Sequence, residues 1–162
     1  MPVKEYYIWR DKTLHIPWYG SSTEDEVKKD ISWKEGETTI LGLDIDVSAR
    51  ANGRTNLDFH LNGSLLVHFH WEIWEDMAVK TWRGDAVGKL VNGLNIFEAV
   101  YYKDPAHPFD VSSTFTLTAI LNYEGKEVTV KPWWERYLIP LAIGSTVVVG
   151  GISAIVVAKK KR

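Results

Sequence analysis

His68-Phe69-His70-Trp71-Glu72 sets two imidazoles and a carboxylate at alternate positions, and on an extended strand alternate side chains share one face. With His60 and Asp58 on a neighbouring strand, these groups offer the nitrogen and oxygen donors that zinc or copper takes. Positions i and i+2 of a strand stand about 7 Å apart, so a metal would need a third ligand from next door. The same pattern also describes a solvated polar sheet face, with Asp58 opposite His68 and Arg54 opposite Glu72. That second reading is the expected one. No metal or cofactor is predicted, and His60, His68, His70 and Glu72 are the candidate ligands against which it is tested.

Other chemistry is sparse. Asp44-Ile45-Asp46 resembles the acidic pairs that hold divalent cations, yet it falls on the polar face of an alternating run and reads as solvated charge. The chain has no cysteine, which removes disulfides, thiolate nucleophiles and Cys-ligated metal sites. Neither a nucleophile elbow, a phosphate-binding glycine loop nor HExxH occurs. Nothing in the sequence argues for an enzyme. Eight tryptophans remain: Trp71 takes a core-facing position, Trp74 the outward one, and Trp33 a polar loop. Exposed rings of this kind stack on sugars, anchor protein interfaces or cover the ends of a small sandwich. Asn62-Gly63-Ser64 suits a tight turn and also matches the N-glycosylation acceptor pattern.

The elements that must position these groups are strands. Apolar residues alternate with polar ones from Leu41 to Ala49, from Thr55 to Leu61 and from Leu65 to Trp74, where Leu65, Val67, Phe69, Trp71 and Ile73 take the core-facing parity. A three-residue loop at Asn62-Gly63-Ser64 would pair Leu61 with Leu65, Phe59 with Val67 and Leu57 with Phe69, keeping the apolar faces together. A second hairpin is expected from Thr114 to Val130 through Glu124-Gly125, pairing Leu121 with Val128 and Ala119 with Val130. Further strands are expected at Tyr6 to Arg10, Leu14 to Trp18, Ala78 to Trp82 and Asn95 to Tyr102. Only Thr23 to Ile31, with Thr23 and Glu26 in capping positions, could form a short helix. The polar stretches Gly20 to Glu37 and Lys103 to Ser112 are the natural places for partner contacts or disorder. Together these give an all-β fold, an antiparallel β-sandwich of immunoglobulin-like or jelly-roll type spanning residues 1–132.

The remainder reads as a membrane anchor. Tyr137 to Ala158 is a 22-residue stretch without a charge, roughly 33 Å long as a helix against a hydrocarbon core of about 30 Å. Residues 133–136 form an interfacial linker, residues 137–158 the transmembrane α-helix and residues 159–162 a basic tail. Trp133, Trp134 and Tyr137 suit the headgroup zone on one side, and Lys159, Lys160, Lys161 and Arg162 close the other. Within the helix Ala142, Thr146, Gly150, Ala154 and Ala158 recur every four residues, a small-residue face along which a second helix could approach. The N-terminal residues carry Lys4, Glu5, Arg10 and Asp11 and lack the apolar region of a secretory signal. The basic tail favours a cytoplasmic C-terminus and a β-domain on the non-cytoplasmic or coat-facing side. A post-translationally inserted tail anchor would give the opposite orientation.

All 21 acidic residues precede Tyr137, and four of the 19 Lys and Arg residues lie in the tail. The β-domain is therefore the acidic part, which argues against a nucleic-acid partner. The expected role is a non-enzymatic, single-pass membrane protein presenting a β-sandwich to other protein subunits, as a surface or virion component linking a lipid layer to a protein coat. The alternatives are a membrane-anchored carbohydrate-binding module and a metal-binding accessory domain of a membrane complex.

Overall fold

Alternating side chains carry most of the N-terminal chain into extended structure, because only a pleated strand sends every second residue to a common core. In the computed structural model, which describes residues 2–17, 24–34, 36–51, 53–85, 87–104, 106 and 112–130, nine strands form among the described residues. They are β1 (Lys4–Ile16), β2 (Glu24–Trp33), β3 (Thr38–Ala51), β4 (Thr55–Leu61), β5 (Ser64–Trp71), β6 (Val79–Gly84), β7 (Gly93–Lys103), β8 (Ser113–Gly125) and β9 (Thr129–Val130). The one helical element among these residues is a 3-10 turn at Val87–Lys89.

Two antiparallel sheets result, ordered β1-β8-β3-β6 and β5-β4-β7-β2-β9. β1 lies beside β8, β2 beside β7, β3 beside β6 and β4 beside β5, so the chain runs as a double ribbon wound around one core. Of the two expected topologies this nesting is the jelly roll. The inner faces meet through aromatic rings: Trp9 of β1 stands edge-on to Phe59 of β4 at 5.8 Å, and Trp71 of β5 edge-on to Phe115 of β8 at 5.7 Å. Tyr101 of β7 packs on the same Phe115 at 5.7 Å. Rings offset in this way add about 0.5–1.5 kcal/mol per pair beyond the area they bury.

Several sequence expectations are corrected. Residues 24–33 form β2 and no helix. Val27, Lys29, Ile31 and Trp33 share its inner face, and ten residues pair with β7, from Glu24↔Tyr102 to Trp33↔Gly93. Those pairings outweigh a local capping pattern. Most of the polar stretch from Gly20 to Glu37 is therefore sheet, and Trp33 ends a strand with its ring half-buried against the core. The predicted strands at Tyr6 to Arg10 and Leu14 to Trp18 join into β1, with register shifts between Tyr7 and Trp9 and between Trp9 and Lys12, and with Asp11 at φ 47°. Trp18 lies outside the described residues.

The β4–β5 hairpin keeps the predicted pairs Leu57↔Phe69 and Phe59↔Val67, but Leu61 faces Ser64 and His60 faces Leu65. Asn62 and Gly63 both adopt positive φ, 52° and 77°, the two-residue primed turn that Asn-Gly favours. A bulge at Leu66 then restores the apolar register, so Leu66 packs on the core while Leu65 is exposed. The second predicted hairpin does not form. β8 already has β1 on one side and β3 on the other, which leaves no edge for a returning strand. The chain crosses instead to the other sheet, burying Val128 on the way, and β9 pairs with Ile31 and Ser32 of β2.

Lys29 points inward from β2. Its Nζ donates to the carbonyl oxygens of Ile8 at 2.6 Å and Tyr7 at 3.4 Å, beside the Tyr7/Trp9 bulge of β1, and it sits 5.2 Å from the Tyr6 ring centre. Burial lowers its pKa from the ordinary lysine value.

Candidate functional site

The outer face of β5-β4-β7 gathers the polar residues singled out in the sequence. Asp58 faces His68 in register, with Asp58 Oδ1 2.5 Å from His68 Nδ1, and Tyr102 donates its hydroxyl to Asp58 Oδ2 at 3.1 Å. His70 Nδ1 lies 2.7 Å from Asn56 Oδ1, and His70 Nε2 lies 3.4 Å from Glu72 Oε1. Arg54 donates to Glu72 Oε2 at 2.6 Å, the predicted pairing. That bond, followed by one from His70, holds the Glu72 carboxyl below the usual carboxylate range. His60 stands further along β4, opposite Glu98 of β7. The two β5 histidines are each turned to a separate β4 partner, so their ring nitrogens do not converge. Among the described residues no cluster of three or more His, Asp or Glu side chains is arranged to hold a metal ion. Replacing His68 with alanine is expected to leave the zinc and copper content of the purified protein at the blank level. Stoichiometric metal in the wild type that disappears from the variant would overturn this reading.

Asp44 and Asp46 project from the outer face of β3 toward β6. Arg83 Nη2 donates to both oxygens of Asp46 at 2.7 and 2.9 Å, and Arg83 Nε lies 3.5 Å from Asp44 Oδ1. With Asn122 Nδ2 donating to Asp44 Oδ2 at 3.0 Å, both aspartates have side-chain partners within the sheet.

The connection from β5 to β6 is a different kind of surface. Ile73, Trp74 and Met77 within it and Val79 at the start of β6 are all exposed, Trp74 to 76% of its area. Ile73 was expected on the core side; it leaves that side because β5 ends at Trp71. The segment is nonetheless tightly held. Glu75 accepts from the Glu72 amide at 2.9 Å and from Lys80 Nζ at 2.9 Å on both oxygens, and these bonds keep its carboxyl below the usual range. Backbone bonds close it further: Glu75 N to Glu72 O, Ala78 N to Glu75 O and Met77 N to Ala49 O. Beneath it the buried Trp71 indole donates to Ala78 O at 2.9 Å. Met77 takes a positive φ of 61°, unusual for a side chain of its size.

Sequence reasoning missed a pair of asparagines. Asn95 occupies a core-facing position of β7 and is fully buried. Its side-chain oxygen accepts from Val91 N at 2.9 Å and from Asn62 Nδ2 at 2.9 Å, and its amide donates to Val91 O at 2.8 Å. Asn62 also donates to Lys89 O at 3.0 Å and accepts from Ile96 N at 2.9 Å. A glycan on Asn62 would leave that nitrogen one hydrogen for the two bonds it donates. The available signal was a lone Asn on the apolar parity of a predicted strand.

No helix among the described residues is long and apolar enough to cross a membrane. The predicted anchor, including Trp133, Trp134, Tyr137, the small-residue face from Ala142 to Ala158 and the tail from Lys159 to Arg162, lies outside those residues.

No family model matches the chain, and no curated protein is similar to it in sequence. Among solved structures, it is similar at 11% identity to the CBM36-1 domain of a multidomain xylanase from the hindgut metagenome of Trinervitermes trinervoides. That match covers 76% of this chain and 99% of the other, with a TM-score of 0.43. It is also similar to dimeric latent PorU from Porphyromonas gingivalis, with 14% identity, 76% of this chain covered and a TM-score of 0.42. A third is Est2A, an acetyl xylan esterase from the rumen bacterium Butyrivibrio proteoclasticus, with 11% identity, 80% covered and a TM-score of 0.40. The chain spans 13% of the PorU chain and 34% of the esterase.

Proposed function

We propose that the protein is a non-enzymatic, membrane-anchored β-sandwich that docks another protein subunit on the loop between β5 and β6. The observation that carries this reading is the cluster of four exposed apolar residues, Ile73, Trp74, Met77 and Val79, on a segment fixed by hydrogen bonds. Single exposed apolar residues are ordinary, whereas several on one segment mark an interaction surface. A rigid loop presents them at little entropic cost to binding, and Trp is a common interface anchor. The uncharged stretch Tyr137 to Ala158 supplies the anchor, and the cationic tail supports a β-domain on the non-cytoplasmic or coat-facing side.

The test places a photoreactive amino acid at position 74 of the full chain in its native membrane, with position 116, exposed on the outer face of β8, as the control. The expected result is one discrete protein adduct from position 74 that position 116 does not give. No adduct at 74, or the same adducts from both positions, would sink the proposal.

A further inference from the structure

A cleft of about 350 Å³ opens at the other end of β2, where Trp33, Ile40, Leu90 and Val91 supply apolar surface and Thr39 and Asn92 a polar edge. It shares no residue with the loop between β5 and β6. Its size falls at the lower end of small-molecule sites, about 300–1,000 Å³.

Both walls are built before any ligand arrives. On one side, the turn after β2 is closed by Glu37 N and Thr38 N, each donating to Lys34 O at 3.1 Å, with Gly36 in the left-handed region at φ 79°. Thr38 Oγ1 donates to Lys126 O at 2.9 Å, and Lys126 N donates to Glu37 O at 2.8 Å, which pins that turn to the end of β8. On the other side, Asn95 and Asn62 hold residues 89–93 through the bonds described above. The buried Asn95 amide and the half-buried Asn62 amide thus fix the shape of a surface segment.

Trp33 is placed to be used from this cleft. One part of the indole packs on the core with Leu90. Its cross-strand neighbour is Gly93, which carries no side chain into the space at this end of the strand pair. A Cβ built at Gly93 would meet nothing within 4 Å.

The chemistry of the lining selects the ligand. Among the described residues no ionisable side chain lines the cleft. Nearby, one carboxylate pairs with two ammonium groups, Glu37 Oε1 lying 3.1 Å from Lys126 Nζ and 3.5 Å from Lys34 Nζ, and Lys89 Nζ donates to Leu65 O at 2.7 Å. Among the described lining residues a phosphate, carboxylate or amine meets no counter-charge. An indole flanked by aliphatic groups and edged by a hydroxyl and an amide matches a neutral ring with one apolar face and a hydroxylated rim. We propose that this cleft binds a neutral sugar ring, with Trp33 as the stacking platform.

Isothermal titration of the full chain in mild detergent tests it, using β-1,4-linked hexasaccharides of glucose, xylose, mannose and N-acetylglucosamine as probes. At least one is expected to bind saturably. Trp33→Ala, and separately Thr39→Arg, which lays a long side chain across the mouth from an exposed position, should weaken that binding by about tenfold or more. Trp74→Ala should leave it unchanged. If Trp33→Ala does not fold, Thr39→Arg decides alone. Absence of binding to all four sugars at millimolar concentration, binding that survives both cleft substitutions, or binding lost through Trp74→Ala would each overturn the proposal.

Discussion

Trp71→Ala is expected to cost roughly 3–5 kcal/mol, the range for truncating a buried aromatic, and so to remove much of a typical domain stability of about 5–15 kcal/mol. Trp71 is fully buried, edge-on to Phe115 of the opposing sheet and tilted against Phe69 of its own. The urea midpoint should fall sharply with the slope unchanged, as for a lost core contact. A shift equivalent to less than about 1 kcal/mol would show that this ring does not join the sheets. Trp71→Phe separates packing from hydrogen bonding. It keeps an aromatic ring but deletes the donor to Ala78 O, at about 1 kcal/mol. The loss should show chiefly as faster amide exchange within residues 72–78.

The second large effect is alkaline. Tyr101 is buried and donates its hydroxyl to Asp25 Oδ2 at 3.0 Å. Burial first, and then the Asp25 carboxylate, push its pKa up to about 12. In the unfolded chain the phenol titrates near 10, so between those values the folded state holds a proton that the unfolded state has released. Its contribution is complete below pH ~10 and is lost as pH rises toward ~12, on the order of 2–3 kcal/mol. Tyr6 and Tyr123, also raised by burial, act in the same direction. Lys29 works the other way: its folded pKa is lowered, so stability rises with pH until the unfolded lysine has titrated, near 10.4. Above about pH 10.5 Lys28, raised by its hydrogen bonds to Glu98 and Glu26, acts in the same direction as the tyrosines, so comparison with Tyr101→Phe is what isolates that phenol. Urea midpoints measured from about pH 10.5 to 12 should fall steeply in the wild type and less so in Tyr101→Phe. Equal slopes in the two would refute the assignment.

Strand alternation made much of the core legible, although Leu65 and Ile73 follow it and lie exposed. Leu57, Phe59, Phe69 and Trp71 landed in the core, and Asp58–His68 and Arg54–Glu72 met as register demanded. The failures came where a neighbour outside the local segment decided the outcome. β2 is a strand because β7 pairs along its whole length, and β8 takes no hairpin partner because β1 and β3 flank it. The turn at Asn62-Gly63 was correctly located but shortened by one residue, since both residues adopt positive φ and a bulge absorbs the difference. Trp74 and Trp33 were legible as candidate contact rings, but the surfaces built around them were not. The exposed loop depends on Glu75 reaching Lys80, and the cleft depends on two asparagines 33 positions apart in the chain.

The inward turn of Lys29 also bears on self-association. β1 is the outer strand of its sheet, and an outer strand exposes backbone groups onto which a second copy could add itself, the first step toward a fibre. At the bulged part of β1 the carbonyls of Tyr7 and Ile8 are already taken by a cation from the same chain. An incoming strand would have to displace that ammonium and leave it half-buried without its acceptors. Where copies collide often, such a plug would keep crowding from turning into polymerisation along this side.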